Sequence, residues 1–246
     1  MTEREFPMDQ EDGVNPEIRY DRRLDGVEAC VFDAYGTLFD VHSAVGRHRA
    51  RIGEAADSVS ATWRSKQLQY TWLRSLMHRW TPFSEVTADA LDFALDEAGI
   101  EDDALRRDLL EAYRSLACYP EVVGVLDALR GGGMRTAVLS NGSREMLDAA
   151  VASAGVGTRL DAVLSVDDVR VDKPHPDVYR LACDRLGLGR EAVCFLSSNA
   201  WDAAGAATFG FRVIWVNRFG QVRERLPDAP DVEVETLDPL PALVLG

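Results

Sequence analysis

From Gly133 onward the chain alternates short apolar runs with helical segments, and this alternation limits the folds that it can adopt. The apolar runs are rich in β-branched and aromatic residues and read "MRTAVLS", "DAVLSV", "AVCFLSS" and "FRVIWVN". The segments "REMLDAAVASAG", "PDVYRLACDRLG" and "AWDAAGAATFG" between them are typical of helices, and Gly155 is a helix stop signal. The alternation therefore predicts a parallel sheet covered by helices on both faces.

Polar residues follow these predicted strands at the points where the strands end. The run at 27–32 belongs to the same sheet and stops at Asp33. The later strands are followed by Ser140, Asn141, Lys173, Ser197, Ser198, Asn199 and Asp202. Each is ordinary alone, since a Ser-Asn-Gly triplet is common in turns. Because ligands bind outside the carboxyl ends of parallel strands, the set predicts one site at one edge of the sheet.

The segment from residue 41 to about 117 has no convincing strand and three helical stretches. In the first stretch, Trp63, Tyr70, Leu73, Met77 and Trp80 recur at helical spacing. An all-helical insert directly after the first strand predicts a cap over the end of that strand. The expected division is a core of 23–40 and 118–246, a helical cap of 41–117, and a loose polar tail of 1–22.

Charge and composition exclude several classes of function. The 246 residues carry a net charge of −14, which argues against nucleic acid and against anionic membranes as partners. A few inward-facing cations can still attract an anionic substrate. The four cysteines form no CxxC pair and the four histidines show no metal spacing, so we expect a reducing compartment and no metal site. With no secretory signal and no apolar span, a cytoplasmic protein is expected.

Five motifs together resemble one family of enzymes. "FDAYGTLFDVHS", "WRSKQLQYTWLRSLM", "LSNGS", "VDKPHPDVY" and "SSNAWDAAGA" are similar, in the same order, to motifs of the L-2-haloacid dehalogenases. The similarity runs from about Gly26 to the mid-220s. It implies an α/β fold with a Rossmann-like parallel sheet and an all-helical cap inserted after the first strand. It also implies hydrolysis of short L-2-haloalkanoic acids to D-2-hydroxy acids.

The positions around the motif aspartates separate this family from its phosphatase relatives. Phosphatases of the superfamily typically carry an acid two residues after the nucleophile and further acids in the last motif to hold Mg²⁺. Here those positions hold Tyr35 and the sequence Ser197-Ser198-Asn199, with only Asp202 acidic. Expulsion of a halide needs neither a proton donor nor a metal. The resemblance therefore implies a metal-free displacement without a cofactor.

The resemblance assigns the reacting groups. Asp33 would attack the halogen-bearing carbon and form an aspartyl ester. Arg64 would stabilise the departing halide with the help of Asn199, and Leu68 lies one helical turn from Arg64 on the same face. Lys173 would keep the carboxylate of Asp33 ionised. Taken alone, each of these residues also has an ordinary structural explanation.

Further residues are assigned to the surroundings of the nucleophile. Ser140 and Asn141 would bind the carboxylate of the substrate at a strand-to-helix turn, where free amides favour anions. Thr37 would hydrogen-bond Asp33 or support its turn. Tyr35 and Phe83 would line the pocket.

The remaining assignments leave alternatives open. Asp202 would either position Lys173 or prepare the hydrolytic water, and Ser197 would join the same polar network. Tyr179 would orient Lys173 in the substrate site or belong to the core. Trp201 would be an apolar wall, and His42 is assigned no chemistry.

Other substrates, activities and partners remain open at this stage. The same nucleophile would serve a fluoroacetate dehalogenase or an azetidine-2-carboxylate ring-opening hydrolase. A Mg²⁺-dependent phosphatase and a non-catalytic binding protein are weaker alternatives. The expected partners are a 2-haloacid, the halide product and a second copy of the chain. Tyr70, Trp72 and Trp80 would supply the surface of that homodimer.

Overall fold

The computed structural model describes residues 23–245, and the tail predicted for 1–22 lies outside them. The main sheet has six parallel strands in the order β5-β4-β1-β6-β7-β8. The strands of the described chain are β1 (Ala29–Phe32), β2 (Phe39–Asp40), β3 (Ala117–Cys118), β4 (Arg135–Ser140), β5 (Ala162–Ser165), β6 (Val193–Ser197), β7 (Arg212–Val216) and β8 (Val232–Val234). The predicted parallel sheet is confirmed, and β1, the first strand, lies at its centre.

Helices cover both faces of this sheet. They are α1 (Ser43–Ile52), α2 (Ala56–Leu76), α3 (Phe83–Glu97), α4 (Asp103–Arg114), α5 (Val122–Gly131), α6 (Arg144–Ala154), α7 (Pro176–Leu186), α8 (Ala200–Phe209) and α9 (Leu240–Val244). Val31 of β1 packs with the side of α7 and α8, whereas its neighbour Phe32 packs with the side of α5 and α6. Successive strand residues point to opposite faces, so a strand buried on both sides is apolar throughout.

The helix signals in the sequence mark real boundaries in the second half of the chain. Pro176 is the first residue of α7, where its missing N–H costs nothing, and the ring of His175 accepts a hydrogen bond from the backbone N–H of Asp177 (3.2 Å). Gly155 ends α6 with a φ of +65°, a left-handed conformation that glycine adopts without strain.

The segment between β2 and β3 contains four helices, so the prediction of three is wrong. The missed helix, α1, buries only Ala44, Val45 and Ile52, a stripe too narrow to produce a clear period. Helix α2 ends at Leu76, and Met77 beyond it is 59% exposed. The aromatic stripe predicted there is therefore only partly a core face, with Trp63 at its buried end.

A two-stranded antiparallel ribbon closes this helical segment. Strand β2 pairs with β3, which includes Ala117 of the range predicted to lack strands. Two-residue strands are too short to show a period of two, which is why the sequence pattern did not reveal them. Within residues 23–245, no helix is both long enough and apolar enough to cross a membrane.

Candidate active site

Asp33 begins the loop after the central strand β1, and its side chain is only 8% exposed. Oδ1 accepts a hydrogen bond from Nζ of Lys173 (3.1 Å). Oδ2 accepts from the hydroxyl of Thr37 (3.1 Å) and from Nδ2 of Asn199 (2.9 Å). Each oxygen of this nearly buried carboxylate thus has a donor, as a charge removed from water requires.

Lys173 lies in the loop between β5 and α7 and is 1% exposed. Its ammonium group contacts Asp33 (3.1 Å) and Asp202 (2.9 Å) and lies 4.8 Å from the ring centre of Phe195. Burial by itself lowers the pKa of Lys173, but the carboxylates of Asp202 and Asp33 raise it more, so the net pKa is above the ordinary value. Lys173 is therefore a cation at neutral pH, held between two acids.

Asp202 and Tyr179 lie behind this cation. Asp202 has no exposed surface, and its oxygens accept from Lys173 and from the phenol of Tyr179 (2.7 Å). Tyr179 is fully buried and packs on Phe195 and Phe209. The hydroxyl of Tyr179 thus contacts Asp202, which is a partner of Lys173, and its ring belongs to the core, so the structure combines the two alternatives left open for this residue, and a contact of Tyr179 with substrate stays a prediction. Of the alternatives open for Asp202, this geometry favours positioning of Lys173.

The turn after Asp33 is joined to the end of β6 by hydroxyl groups. The hydroxyl of Thr37 accepts from the backbone N–H of Ser198 (2.8 Å) and lies 3.2 Å from its Oγ. Gly36 has a φ of +93°, and a Cβ there would lie 3.0 Å from Oγ of Ser198. Glycine is therefore required for this close approach. Ser198 belongs to the set of strand-end residues predicted to form the site, although the resemblance assigned it no role of its own.

Ser197 and Asn199 lie two residues apart but make different hydrogen bonds. Ser197 is fully buried, and its hydroxyl accepts from the backbone N–H of Asn199 (3.1 Å). Ser197 therefore supports the turn into α8, and the described hydrogen bonds do not connect its hydroxyl to Asp33 or Lys173. The predicted role of Ser197 in the polar network around Asp33 stays a prediction, and the structure gives its hydroxyl a contact with the backbone of Asn199, whose side chain donates to Asp33.

Helix α2 brings Arg64 to the other side of the carboxylate. The guanidinium donates to Oδ1 of Asn199 (3.0 Å) and to the backbone carbonyl of Tyr35 (3.2 Å). Asn199 in turn donates to Asp33. A residue of the helical segment and a residue of the sheet edge thus share one polar contact beside the nucleophile.

These groups surround a small cavity of about 20 Å³, which is room for about one water molecule. It is lined by Asp33, Tyr35, Arg64, Leu68, Phe83, Ser140, Asn141, Lys173, Asn199 and Trp201. Ten predicted site residues therefore meet at one place. Four predicted residues, Thr37, Tyr179, Ser197 and Asp202, lie outside the lining.

Aromatic rings form the apolar side of this cavity. Tyr35 stacks on Phe83 from α3 (5.8 Å between ring centres) and on Tyr113 from α4 (5.5 Å). Burial raises the pKa of Tyr35 well above its ordinary value, so the phenol stays neutral. On the other side, Trp201 packs edge-on against Trp72 of α2 (5.2 Å). A small apolar group would fit between these walls.

Ser140 and Asn141 keep free donors toward the cavity. The hydroxyl of Ser140 accepts from the backbone N–H of Gly142 (3.1 Å). Oδ1 of Asn141 accepts from the backbone N–H of Lys173 (2.9 Å). Because both oxygens act as acceptors, the hydroxyl hydrogen of Ser140 and the amide hydrogens of Asn141 remain available for an anion.

A wider cavity of about 390 Å³ adjoins the small one and shares Arg64, Leu68, Asn199 and Trp201 with it. His42 lines this outer cavity, 2.8 Å from the hydroxyl of Ser60, and is absent from the lining of the inner cavity. The outer cavity is therefore a route from solvent to the polar groups around Asp33.

Arg218 is a further residue that the sequence analysis missed. Its guanidinium donates to the carbonyl of Thr37 (2.8 Å), pairs with Glu121 (2.6 Å) and lies 3.8 Å from the ring centre of Tyr119. Arg218 follows the end of β7, so the rule that polar groups follow strand ends would have found it. Among the described residues, no three His, Cys, Asp or Glu side chains are grouped to hold a metal ion.

Comparison with known proteins agrees with this fold and this site. The family model described as a haloacid dehalogenase-like hydrolase matches residues 27–210, a range that begins just before β1 and includes Asp33. (S)-2-haloacid dehalogenase 1 of Pseudomonas sp. (strain CBS-3) is 45% identical over 90% of this chain and 98% of its own. The chain belongs to the L-2-haloacid dehalogenase family.

Two further relatives bear on the chemistry. Haloacetate dehalogenase H-2 of Moraxella sp. (strain B) is 42% identical over 89% of this chain and 98% of its own. The L-2-haloacid dehalogenase of Xanthobacter autotrophicus, solved with chloropropionic acid covalently bound, is 38% identical. That structure covers 88% of this chain and 98% of its own at a TM-score of 0.83. A covalent adduct of this kind forms when a side chain of an enzyme acts as a nucleophile.

Proposed function

We propose that this protein hydrolyses short L-2-haloalkanoic acids to D-2-hydroxy acids through an ester on Asp33. The observation that carries the proposal is the nearly buried carboxylate of Asp33, held by Lys173, Thr37 and Asn199 at the wall of a small cavity. A carboxylate whose orientation is fixed and whose charge is balanced is suited to attack carbon. The (S)-2-haloacid dehalogenase names of the relatives support the same reaction.

In the first step, a carboxylate oxygen of Asp33 forms a bond to C2 of the substrate as the carbon–halogen bond breaks. The electron pair of that bond leaves with the halide. Arg64 and the amide of Asn199 lie beside the nucleophile and would stabilise the leaving anion. Attack from the face opposite the halogen inverts the carbon, which converts an L substrate into a D product.

In the second step, water adds to the ester carbonyl of Asp33. The acyl C–O bond breaks, the hydroxy acid leaves, and the carboxylate of Asp33 is restored with release of one proton. Lys173 would stabilise the negative charge on the ester oxygen, since its ammonium already lies 3.1 Å from Oδ1. Both oxygens of Asp202 are engaged by Lys173 and Tyr179, which supports a positioning role for Asp202.

The carboxylate of the substrate would bind at Ser140 and Asn141. Both side chains have free donor hydrogens beside the cavity, and helix α6 begins three residues after Asn141. Leu68, Phe83 and Trp201 would contact the alkyl group. The carboxylate would thereby hold C2 in front of Asp33.

Fluoroacetate is the second candidate substrate, and the haloacetate dehalogenase among the relatives favours it. Such a reaction would use the same nucleophile and place stronger demands on Arg64 and Asn199, because the C–F bond is strong. Ring opening of azetidine-2-carboxylate is a third reaction open to the same carboxylate.

The test is halide release from L- and D-2-chloropropionate and from fluoroacetate, measured with EDTA present. We expect chloride from the L isomer alone. Asp33→Asn should lower the rate by on the order of 10⁴-fold or more, as the loss of a covalent nucleophile does. Asp40→Asn is the matched control, since Asp40 lies in the same motif but outside the cavity lining. Absence of halide from every substrate would refute the proposal.

A single turnover in ¹⁸O-labelled water tests the intermediate itself. Hydrolysis at the ester carbonyl transfers the label to the carboxylate of Asp33, and the first hydroxy acid released carries none. Direct attack of water on C2 would give the opposite pattern. The position of the label therefore distinguishes covalent catalysis from general base catalysis.

We also propose that the helical segment acts as a cap over the core and that it supplies a homodimer surface. Leu76 is 77% exposed and Met77 is 59% exposed at the end of α2. A groove of about 660 Å³ on the same helix is lined by Trp72, Leu73 and Leu76, among others. Apolar surface of this kind is typical of an interface. A monomer mass by light scattering after gel filtration would exclude the dimer.

A further inference from the structure

The last turn of α2 is joined to the residue that precedes Lys173. The hydroxyl of Ser75 donates to Oδ2 of Asp172 (3.0 Å) and accepts from the backbone N–H of the same residue (3.1 Å). These two bonds connect residues that are 97 positions apart in the chain. One hydroxyl therefore holds both the side chain and the main chain of Asp172.

Asp172 is an unusual residue for this contact because its side chain is buried. Only 4% of Asp172 is exposed, and among the described residues the hydrogen-bond partner of its carboxyl group is Ser75. A buried carboxyl group costs free energy unless it is hydrogen-bonded. An apolar residue would fill the same space without the free-energy cost of burying a carboxyl group. The need to fill this space therefore does not explain why position 172 holds an acid.

The position of Ser75 in α2 connects this contact to the residues around Asp33. Arg64 lies eleven residues earlier in the same helix, about 16 Å along its axis at 1.5 Å per residue. Lys173 directly follows Asp172 in the chain. The two cations beside Asp33 are thus carried by α2 and by the loop to which α2 is tied.

We propose that Ser75 and Asp172 are positioning residues that hold α2 against the Lys173 loop and thereby set Arg64 and Lys173 on opposite sides of Asp33. The effect on catalysis rests on the proposed function, whereas the effect on the helix and the loop does not. Loss of the contact would let α2 and the loop move independently. Misplacement of reacting groups by about 1 Å costs on the order of 100-fold in rate.

A second contact between the helical segment and the sheet domain provides the matched control. Arg114 of α4 pairs with Glu145 of α6 at 2.7 Å, and Glu145 is 72% exposed. It links the same two parts of the chain but lies far in sequence from Lys173. If any link served equally well, Glu145→Gln and Ser75→Ala would have similar effects.

The experiment compares Ser75→Ala, Ser75→Thr and Glu145→Gln with the wild type by two measurements. The first is chloride release from L-2-chloropropionate, analysed as kcat and KM. We expect a fall in kcat of roughly 10- to 100-fold for Ser75→Ala, with the hydroxyl of Ser75→Thr restoring most of it. We expect Glu145→Gln to stay within about twofold of the wild type. If Ser75→Ala does not fold, Asp172→Ala removes the acceptor and carries the same test.

The second measurement is amide hydrogen exchange, which does not depend on activity. Ser75→Ala should speed exchange at 170–175 and in the last turns of α2, and leave the strands unchanged. A kcat within twofold of the wild type, an equal loss in Glu145→Gln, or unchanged exchange would overturn the proposal. A wild type without halide release would refute the proposed function instead, and the exchange result would then decide this proposal alone.

Discussion

The Asp172→Asn variant should gain stability relative to the wild type as the pH rises from acidic to alkaline. The pKa of Asp172 is raised from 3.8 to about 7, chiefly by burial and to a smaller extent by the charge of nearby Asp167. The hydrogen bond from Ser75 and the charge of Arg74 act in the opposite direction. The neutral acid is thus favoured in the folded state.

The sign and size of the effect follow from this shift. Because the folded pKa lies above the unfolded one, the contribution of Asp172 is fully present below about pH 4 and is lost as the pH rises through 7. The rise in the pKa of Asp172 from 3.8 to about 7 corresponds to about 4 kcal/mol of unfolding free energy at most. Between about pH 5.5 and about pH 8.5 the free energy of unfolding of the wild type should fall by about 2 kcal/mol through this titration. The Asp172→Asn variant has no proton to release at this position and should not show that fall.

Urea denaturation of both proteins at several pH values measures this difference. Any hydrogen-bond strength that the variant loses changes its free energy of unfolding by the same amount at every pH. The titration of Asp172 changes the free energy of unfolding of the wild type with pH, so the pH dependence of the difference between the two proteins is the informative quantity. Asp168→Asn is the control, since Asp168 is an exposed acid in the same region. A difference that does not change with pH, or that favours the wild type at high pH, would refute the reasoning.

The two other predictions concern the cavity. Lys173→Met should lower the free energy of unfolding by about 3–5 kcal/mol, because Asp33 and Asp202 would remain buried without their cation. Lys66→Met, at the only other lysine in the sequence, is the control, and equal stability of the two variants in urea would contradict the ion-pair argument. Asn199→Ala should lower kcat for chloride release by about 10²- to 10³-fold, as loss of one donor to a developing anion does. An effect on KM alone would instead assign Asn199 to substrate binding.

Much of the fold was predictable because its signals are local. Strand β6 is apolar from Val193 to Leu196, and α7 begins at a proline and is followed by a glycine. Elements with weak local signals were missed or misjudged, as with α1 and the ribbon of β2 and β3. Their stability comes from packing against other parts of the chain, which a sequence window does not contain.

The site was predictable to the extent that strand ends converge. Asp33, Ser140 and Lys173 were found because the carboxyl ends of parallel strands meet at one edge. Arg64 was selected by motif similarity and not by the helical pattern, since Arg74 of the same helix satisfies that pattern too. Arg74 pairs with Asp89 instead.

The sequence by itself determined the sheet, its layers and the aspartate at its centre, because alternation and strand ends are written in neighbouring residues. Only the tertiary structure decided which hydroxyl serves which partner: that Tyr179 donates to Asp202, and that Ser197 accepts from the turn at Asn199. It also decided that Ser75 meets Asp172 across 97 positions. Such bonds depend on distances of a few ångströms between remote segments, and no local pattern specifies those distances.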